Sequence, residues 1–320
     1  MLTGDGPDPR RRVPGLRLTG WGTALPDRVV TNDELSKTLD TTDEWIRERT
    51  GIRERRVGGS ASTLGLAAAR AALDSAGIGP EHIDAILLAT TTADQLIPGT
   101  APVIQDALGA DCPAVDLNAA CSGFMYGLWF ARGLLATGSR RILLIGAEHL
   151  SRWVDWDDRA IAVLFGDGAG AVVLEATEDD GDLLGFDVGS DGSLLHLIRC
   201  EHGGTIEMDG KETFRKAVRI MVDSAQRALK DASITIDDVA LIVPHQANLR
   251  IIQAACERLG VPEDRAVIVV DRYGNTSSAS IPLALADAAA DGRIAPGDLL
   301  LLTGFGAGMT WSSAVLRWPE

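Results

Sequence analysis

Residues 69–89, ARAALDSAGIGPEHIDAILLA, contain the end of a predicted helix and a predicted buried strand. The alanine-rich segment predicts a helix from about residue 62 to residue 76 that ends at Gly77, because glycine readily adopts the left-handed conformation that closes a helix. The continuous apolar run 83–89 is typical of a strand that is buried on both faces. A helix followed by such a strand predicts an α/β fold.

This helix–strand unit recurs 156 positions later, in residues 225–245, AQRALKDASITIDDVALIVPH. Two further pairs of features follow in the same order. Val-Asp pairs at 115–116 and 270–271 are each expected to end a short apolar strand, and the glycine loops GDGAG (166–170) and GFGAG (304–308) each lie beside an apolar strand. Three matched features in one order predict an internal duplication.

The duplication predicts two similar α/β halves that pack about a pseudo-twofold axis. We expect the first half to span residues 15–177 and the second to span residues 178–320, because the acidic, glycine-containing stretch 177–182 separates them. Residues 1–14 are expected to form a disordered leader.

Two short helices are predicted within the first 51 residues. The spacing T-x-x-E occurs from Thr31 to Glu34 and from Thr41 to Glu44, and it is typical of the capping box that begins a helix. The second helix is expected to stop at Gly51.

The composition restricts the class of protein. The 320 residues include 30 basic and 45 acidic side chains, and the net charge of −15 argues against general nucleic-acid binding. The apolar runs are too short to span a bilayer and no apolar signal segment follows the N-terminal arginines, so we expect a cytoplasmic protein without a membrane partner. The four cysteines have no CxxC pairing, which fits a reducing compartment and allows one reactive thiol.

Cys121 is the candidate nucleophile. It lies in DLNAACSGF (116–124), where an apolar strand leads through small residues into a predicted helix. The N-terminus of a helix favours a thiolate, so the pKa of this thiol is expected to be lowered. The pattern by itself also fits a buried structural cysteine, which is the commoner role of a single cysteine.

His245 and Asn275 are the candidate partners of this thiol. His245 directly follows a buried strand, and Asn275 lies four residues after Asp271, much as Cys121 lies five residues after Asp116. The internal symmetry therefore predicts that the three side chains converge on one pocket between the halves. Taken separately, the histidine also fits a core or surface position and the asparagine fits a turn.

Two other patterns suggest ligands. The glycine loops are similar to nucleotide-binding loops, but neither opens a βαβ unit with a downstream acidic residue, so phosphate binding is not favoured. Cys200 and His202 could ligate a metal, but two potential ligands without a second cluster are too few. No metal is therefore expected.

Six motifs together resemble β-ketoacyl-acyl-carrier-protein (ACP) synthase III, from about residue 15 to the C-terminus. They are TTDEW (41–45), RTGIR (49–53), AACSGF (119–124), FGDGA (165–169), PHQANLR (244–250) and GNTS (274–277). The resemblance implies the thiolase fold, in which two pseudo-symmetric α/β halves form a five-layer αβαβα arrangement.

The resemblance also implies a reaction. Cys121 would take an acyl group from an acyl-CoA, and malonyl-ACP would then lose carbon dioxide and attack that acyl group, giving 3-oxoacyl-ACP at the start of fatty-acid synthesis. A neutral His245 and the amide of Asn275 would hold the enolate, and the backbone N–H groups of Cys121 and Ala307 would hold the tetrahedral oxyanion. No cofactor is required.

Substrate and partner contacts follow from the same resemblance. The residues implied to contact CoA, with an aromatic–guanidinium pair around the adenine at Trp45 and Arg159, are Thr41, Trp45, Arg49, Arg159, Gly210, Phe214 and Asn248. The residues implied to contact the carrier protein are Gln246, Ala247, Asn248, Leu249, Arg250 and Arg215. Arg258 would add to this basic patch, whereas Glu257 departs from it. Ile97 would enter the acyl pocket of a partner subunit, which implies a homodimer.

Three other functions compete with this interpretation. A starter-unit condensing enzyme of polyketide metabolism and a simple acyltransferase would share the fold, although simple acyl transfer does not need Asn275. A non-catalytic acyl-binding subunit would need none of Cys121, His245 and Asn275. The implied contacts of the CoA residues also fit helix-capping and packing roles.

Overall fold

Both predicted helix–strand units are present in the computed structural model, which describes residues 14–319. In the first unit the helix ends at Gly77, whose φ of +67° requires the freedom of glycine, and a fully buried strand follows. The second unit has a longer helix and a buried strand that ends at Pro244. The expected leader 1–14 lies, except for Pro14, outside the described residues.

The described residues form thirteen strands and ten α-helices. The strands are β1 (Gly15–Ala24), β2 (Val29–Thr31), β3 (Glu54–Arg56), β4 (Ala85–Ala89), β5 (Ala114–Leu117), β6 (Arg141–Glu148), β7 (Gly168–Thr177), β8 (Leu183–Ser190), β9 (Ile198–Arg199), β10 (Glu207–Met208), β11 (Leu241–Pro244), β12 (Leu299–Gly306) and β13 (Thr310–Arg317). The helices are α1 (Asn32–Leu35), α2 (Asp43–Thr50), α3 (Ala61–Ala76), α4 (Thr100–Leu108), α5 (Gly123–Ala136), α6 (Arg159–Ala162), α7 (Gly210–Asp231), α8 (Leu249–Leu259), α9 (Val270–Tyr273) and α10 (Ser280–Ala290).

The two main sheets share one strand order. The first sheet has the order β1-β7-β6-β4-β5, with β4 parallel to β5 and β6, and with β7 antiparallel to β1 and β6. The second has the order β8-β13-β12-β11, with β11 parallel to β12, and with β13 antiparallel to β8 and β12. The strands β1, β7, β6 and β4 therefore correspond to β8, β13, β12 and β11. The boundary after residue 177 stays a prediction.

Helices form three layers around these sheets. Helices α5 and α10 pack between the sheets, where Phe124 and Leu128 share a buried cluster with Ile281 and Leu302. Helices α3 and α4 cover the outer face of the first sheet, and helices α7 and α8 cover the outer face of the second. This is the predicted five-layer αβαβα arrangement, and the α/β fold class is confirmed.

The predicted capping boxes give one correct and one wrong helix start. Thr31 caps α1, as expected, by accepting the N–H of Glu34. Thr42, not Thr41, caps α2 by accepting the N–H of Trp45 at 3.1 Å. The helix begins one residue late because the N–H of Thr41 is bonded to the carbonyl of Leu39, which completes the preceding turn.

The expected strand end at 270–271 is also wrong. Val270 begins α9, and this segment joins the second sheet only through a single bridge between Ile242 and Ala266. The reason is a side chain: Oε1 of Gln246 accepts the N–H groups of Val269 and Val270 at 2.9 and 3.0 Å. This amide replaces a neighbouring strand as the hydrogen-bond partner of the segment.

The two glycine loops occupy different parts of equivalent hairpins. GDGAG (166–170) leads into β7, whereas GFGAG (304–308) ends β12 and begins the turn to β13. They are therefore not equivalent residue by residue. No helix within residues 14–319 is long and apolar enough to cross a membrane.

Candidate active site

Cys121 lies in a tight turn between β5 and α5, in the centre of the 3-10 helix Ala120–Ser122. Ala120 has a φ of +49°, in the left-handed region that non-glycine residues seldom adopt. The side-chain oxygen of Asn118 accepts the N–H of Ala120 at 3.2 Å and so holds the turn. The turn places Cys121 immediately before the helix that runs between the two sheets.

The thiol opens into a cavity of about 920 Å³. Its walls include Asn118 and Ala307 beside the thiol, and Leu150 and Phe165 supply apolar surface. Charged residues of the segment 199–203 line the cavity as well. A cavity of this size next to a thiol has room for an acyl group.

The predicted lowering of the pKa of Cys121 is wrong in direction for the unliganded chain. Burial raises the pKa of this thiol to about 12, and the negative charge of Glu148 raises it further, whereas the Ser277 side chain and the backbone N–H of Cys121 act in the opposite direction. The favourable influence of the helix start is outweighed because the surrounding protein reduces the hydration of the thiolate. The free thiol is therefore protonated at neutral pH.

The backbone of β12 packs directly on the Cys121 turn. A Cβ atom on Gly306 would lie 2.7 Å from the backbone N of Cys121 and 2.9 Å from that of Ser122, so only glycine fits there. Ala307 follows Gly306 and lines the same cavity as the thiol. The N–H groups of Cys121 and Ala307 thus come from two backbone segments that meet beside the sulfur.

His245 follows β11, as predicted, and its ring is buried with 1% of the residue exposed. Nδ1 lies 2.7 Å from Oγ of Ser280, and Nε2 has no partner among residues 14–319. No other acceptor in this part of the chain contacts the Ser280 hydroxyl, so the hydroxyl donates to Nδ1. The proton of the neutral ring is then on Nε2.

The charge state of His245 follows from its surroundings. Burial lowers the pKa of His245 to about 3. The edge of the Phe305 ring packs against the imidazole with the centroids 5.5 Å apart, which adds apolar surface. His245 is therefore neutral at physiological pH and presents one buried N–H donor.

Asn275 is held at its oxygen and free at its nitrogen. Oδ1 accepts the N–H of Ser277 at 2.9 Å, and no acceptor contacts Nδ2 within the described chain. The backbone is fixed as well, because the N–H of Asn275 donates to Leu164 and its carbonyl accepts the N–H of Gly166. The amide therefore offers a donor whose orientation is set by the turn.

The structure brings the Cys121 turn and the Asn275 turn together, but the two turns correspond to each other in a different residue register from the one expected. Ser277, two residues after Asn275, lines the same cavity as Cys121. Asn275 is equivalent to Asn118, because each side-chain oxygen accepts the N–H two residues on, at Ser277 and at Ala120. The counterpart of Cys121 is thus Ser278, and the expected equivalence of Cys121 with Asn275 is shifted by three residues.

Comparisons with known proteins agree with this geometry. A family model for 3-oxoacyl-[acyl-carrier-protein (ACP)] synthase III matches residues 115–192, and the model of its C-terminal region matches residues 229–318. The β-ketoacyl-[acyl-carrier-protein] synthase III of Roseiflexus sp. (strain RS-1) is 47% identical over 321 residues, which cover 94% of this chain and 98% of the relative. The chain belongs to the 3-oxoacyl-ACP synthase III family.

Solved structures of the family superpose on the chain. The 3-oxoacyl-[acyl-carrier-protein] synthase III of Aquifex aeolicus VF5 has a TM-score of 0.93 and 44% identity, covering 95% of this chain and all of the other. The priming β-ketosynthase of the R1128 polyketide pathway has a TM-score of 0.91 and 38% identity, covering 98% and 99%. As a member of the synthase III family, the chain is an acyltransferase of the thiolase fold.

The residues implied to hold the CoA adenine contact one another directly. The guanidinium groups of Arg49 and Arg159 each lie 4.6 Å from the ring centroid of Trp45. Arg159 also donates to the carbonyl of Asp40 at 2.6 Å. An adenine can enter between Trp45 and Arg159 only if the guanidinium moves away.

The other implied CoA residues lie on three different elements. The hydroxyl of Thr41 is buried without a partner in the described chain. Asn248 caps α8 and donates to the carbonyl of Arg49 at 3.1 Å. Gly210 begins α7 and is exposed, and Phe214 lies one turn further along the same helix.

Two of the residues implied for carrier binding are not at the surface. Gln246 is fully buried, and its Nε2 donates to the carbonyls of Pro244 and Val267 while its oxygen accepts two further bonds. Ala247 is also buried, with 8% exposed. The Gln246 amide has no hydrogen-bonding group left for a carrier protein, and the Ala247 side chain offers almost no surface to one.

The remaining carrier-binding candidates lie at or near the surface. Arg215 and Arg250 are exposed, and Leu249 is half-buried. The guanidinium of Arg250 lies 5.7 Å from the ring centroid of Phe214, which connects this patch to the implied pantetheine path. Arg258 and Glu257 are both exposed on α8.

Three polar residues at the site were missed in the sequence. Ser277 and Ser280 follow Asn275 in the run NTSSAS. Such a run of small hydroxyl residues is typical of a solvent-exposed loop. Glu148 ends β6, where a charged residue usually marks the solvent-exposed end of a strand. Cys200 and His202 line the cavity, but no group of three or more His, Cys, Asp or Glu side chains within residues 14–319 could hold a metal.

Proposed function

We propose that this chain catalyses the decarboxylative condensation of an acyl-CoA starter with malonyl-ACP, through an acyl group on Cys121, to give 3-oxoacyl-ACP, CoA and carbon dioxide. The observation that carries the proposal is the meeting of two turns. One supplies a thiol beside an acyl-sized cavity, and the other supplies an unpartnered amide N–H group. The buried, unpartnered Nε2 of His245 is the second proposed donor.

In the first half-reaction, Sγ of Cys121 attacks the thioester carbon of the acyl-CoA. The thiol loses its proton during the attack, because it is protonated in the free enzyme, and CoA leaves as a thiol. The backbone N–H groups of Cys121 and Ala307 stabilise the oxyanion of the tetrahedral intermediate.

In the second half-reaction, malonyl-ACP takes the place of CoA. Loss of carbon dioxide leaves an enolate, whose oxygen accepts hydrogen bonds from Nε2–H of His245 and Nδ2–H of Asn275. The enolate carbon attacks the acyl carbon on Cys121, the sulfur leaves as a thiolate and takes up one proton from solvent, and 3-oxoacyl-ACP is released. Carbon–carbon bond formation is driven by decarboxylation, so the proposed reaction includes no cofactor.

The substrates reach the site from two surfaces. Trp45 and Arg159 bind the adenine of CoA, together with Thr41 and Arg49 at the head group. Phe214, Gly210 and Asn248 line the pantetheine path. For the carrier protein we retain Arg250, Arg215 and Leu249 and exclude Gln246 and Ala247. A local basic patch is required because the chain has a net charge of −15 and the carrier is acidic.

A homodimer is part of the proposal. Strand β5 forms an edge of the first sheet, and Val115 on it is exposed, as are Trp129 and Phe130 on the adjacent helix α5. Leu96 and Ile97 are 83% and 88% exposed. Such an apolar edge fits a second copy of the chain, with Ile97 entering the partner's acyl pocket. We place the enzyme in the cytoplasm, where free thiols persist.

The test separates the two half-reactions. The protein is incubated separately with acetyl-, isobutyryl- and hexanoyl-CoA, and its intact mass is measured by mass spectrometry. Malonyl-ACP is then added, and the release of carbon dioxide is measured. We expect one acyl group on Cys121 and carbon dioxide release with 3-oxoacyl-ACP. Acylation without carbon dioxide release would identify a simple acyltransferase, and no acylation by any starter would contradict the proposal.

A second function is supported by one comparison. The priming β-ketosynthase of a polyketide pathway is 38% identical to the chain with a TM-score of 0.91. A polyketide-priming role would use the same two half-reactions with a dedicated carrier protein. Measuring condensation with carrier proteins of fatty-acid and polyketide origin distinguishes the two roles, and we expect the fatty-acid carrier to be preferred.

A further inference from the structure

Glu148 is a buried carboxylate that the proposed reaction does not use. It ends β6 and is 0% exposed, yet it forms no ion pair within residues 14–319. Its oxygens accept hydrogen bonds only from hydroxyls and one backbone N–H, which belong to a threonine run and to two serines. The donors are Thr90, Thr91, Thr92, Ser277 and Ser278.

These donors come from both halves of the molecule. Oε2 accepts the hydroxyls of Thr91 and Thr92 at 2.9 and 2.7 Å, directly after β4. Oε1 accepts the hydroxyls of Ser277 and Ser278 at 3.0 and 2.9 Å, in the turn that follows Asn275. The carboxylate therefore joins the end of a first-half strand to the turn that carries the enolate-binding amide.

Ser277 connects the carboxylate to Asn275. Its hydroxyl donates to Glu148, and its backbone N–H donates to Oδ1 of Asn275 at 2.9 Å. Ser277 has a φ of +50°, which residues other than glycine rarely adopt unless a contact stabilises them. The position of Ser277, and with it the orientation of Nδ2 of Asn275, thus depends on Glu148.

Among the described residues, the Cys121 turn has no equivalent of this carboxylate. Glu148 pairs with Gly168 at the start of β7, and Gly306 pairs with Thr310 at the start of β13, so the register makes Gly306 the counterpart of Glu148. Gly306 packs on the Cys121 turn through its backbone alone. A carboxyl support is therefore specific to the turn used for condensation.

We infer that Glu148 is a positioning residue for the condensation half-reaction, because it fixes Ser277 and thereby directs the amide N–H of Asn275 at the enolate oxygen. The inference rests on the proposed function. A carboxylate with a purely structural role would support both half-reactions equally, since both need the folded site. If Glu148 instead positions Asn275, its replacement is expected to slow condensation much more than acylation.

The test is Glu148→Gln in the full-length protein. Glutamine keeps the volume but offers one acceptor oxygen in place of two and carries no charge. Its NH2 group cannot accept the Ser277 hydroxyl, which must turn and accept instead, and the new neutral hydrogen bond holds Ser277 less firmly. We expect the rate of Cys121 acylation, measured by intact mass, to stay at or above about half of the wild-type rate, because removal of the negative charge favours the thiolate. Carbon dioxide release from malonyl-ACP is expected to fall about tenfold or more. Equal losses in both steps, or no loss in either, would overturn the inference.

Two further variants keep the result interpretable. Ser277→Ala removes the hydroxyl that contacts Glu148 and also acts on the Cys121 thiol, and it keeps the backbone N–H that contacts Asn275. We therefore expect acylation to slow and condensation of the acyl-enzyme to fall by a larger factor. Equal factors for the two steps overturn the inference if Glu148→Gln does not fold. Asp182→Asn alters another buried carboxylate, which pairs with Arg17, and is expected to leave the ratio of the two rates unchanged. A wild-type protein that fails in either step contradicts the proposed function instead.

Discussion

The turns at Cys121 and at Asn275 have the same backbone and different proposed tasks. In each, an asparagine accepts the N–H of a residue two positions on, that residue has a φ near +50°, and a buried central helix follows. In the first turn the next residue is Cys121, which opens into the cavity. In the second it is Ser278, whose hydroxyl donates to Glu148 and to the carbonyl of Ala89.

The difference shows how a duplicated fold can divide one reaction. The Cys121 turn packs against a small, uncharged residue of the second half, Gly306, and so keeps space for an acyl group. At the Asn275 turn the equivalent space is filled by Glu148, a carboxyl group of the first half, and the asparagine is the proposed donor. Acyl transfer is therefore assigned to the first turn, and condensation to the second turn together with His245.

The largest effect on the rate of acylation is expected when Cys121 is replaced by serine, the residue at its counterpart position 278. Cys121→Ser should lower the rate of acylation at least about 10³-fold, because a serine hydroxyl without an adjacent base is a much weaker nucleophile than a thiol. The rate is measured by intact mass with an acyl-CoA. The matched control is Ser278→Ala, which alters the counterpart residue; an equal loss of acylation there would contradict the division of tasks.

A smaller effect is expected from adding one methyl group against the thiol turn. Gly306→Ala places a Cβ atom 2.7 Å from the backbone N of Cys121, where the contacting atoms are backbone and cannot rotate away. We expect acylation to slow by about 10- to 100-fold, since a displaced N–H group no longer meets the oxyanion. Gly133→Ala, which has open space around it, is the control and should acylate normally. Unchanged acylation in Gly306→Ala would show that this close contact does not matter.

The smallest effect concerns stability at low pH. The pKa of His245 is lowered from 6.5 to about 3 by burial, so the unfolded chain binds a proton in a pH range where the folded chain does not. The contribution of His245 to the free energy of unfolding is therefore complete above pH 6.5 and is lost as the pH falls towards 3. Urea unfolding between pH 4 and 8 should show a steeper acid loss for the wild type than for His245→Gln. Parallel curves would mean that His245 is charged in the folded chain.

The sequence predicted the features that depend on local pattern and on repetition. The apolar run before Ala89 and its copy before His245 indicated two parallel strands, and the small residues around Cys121 indicated a tight turn before a helix. These are confirmed because buried strands and helix ends depend mainly on nearby residues. Family membership, the α/β fold and the five layers are confirmed as well.

Features that depend on contacts between distant segments could not be predicted. Arg55 is fully buried and donates to the carbonyls of Val30 and Val163, although nothing in RTGIRERR (49–56) distinguishes it from its neighbours. Gln246 turned out to be a buried support, and the pKa of Cys121 is raised instead of lowered. Each of these depends on which segments meet in the folded chain, and a single sequence without tertiary contacts does not contain that information.

The most direct test of the division between the two turns is Asn275→Ala. The full-length variant is incubated with an acyl-CoA, and its acylation is measured by intact-mass spectrometry. Carbon dioxide release is then measured after malonyl-ACP is added. We expect acylation of Cys121 within about threefold of the wild type and a fall in condensation of about 10²- to 10³-fold, because one enolate donor is lost. Loss of acylation with condensation of the remaining acyl-enzyme intact would contradict the account.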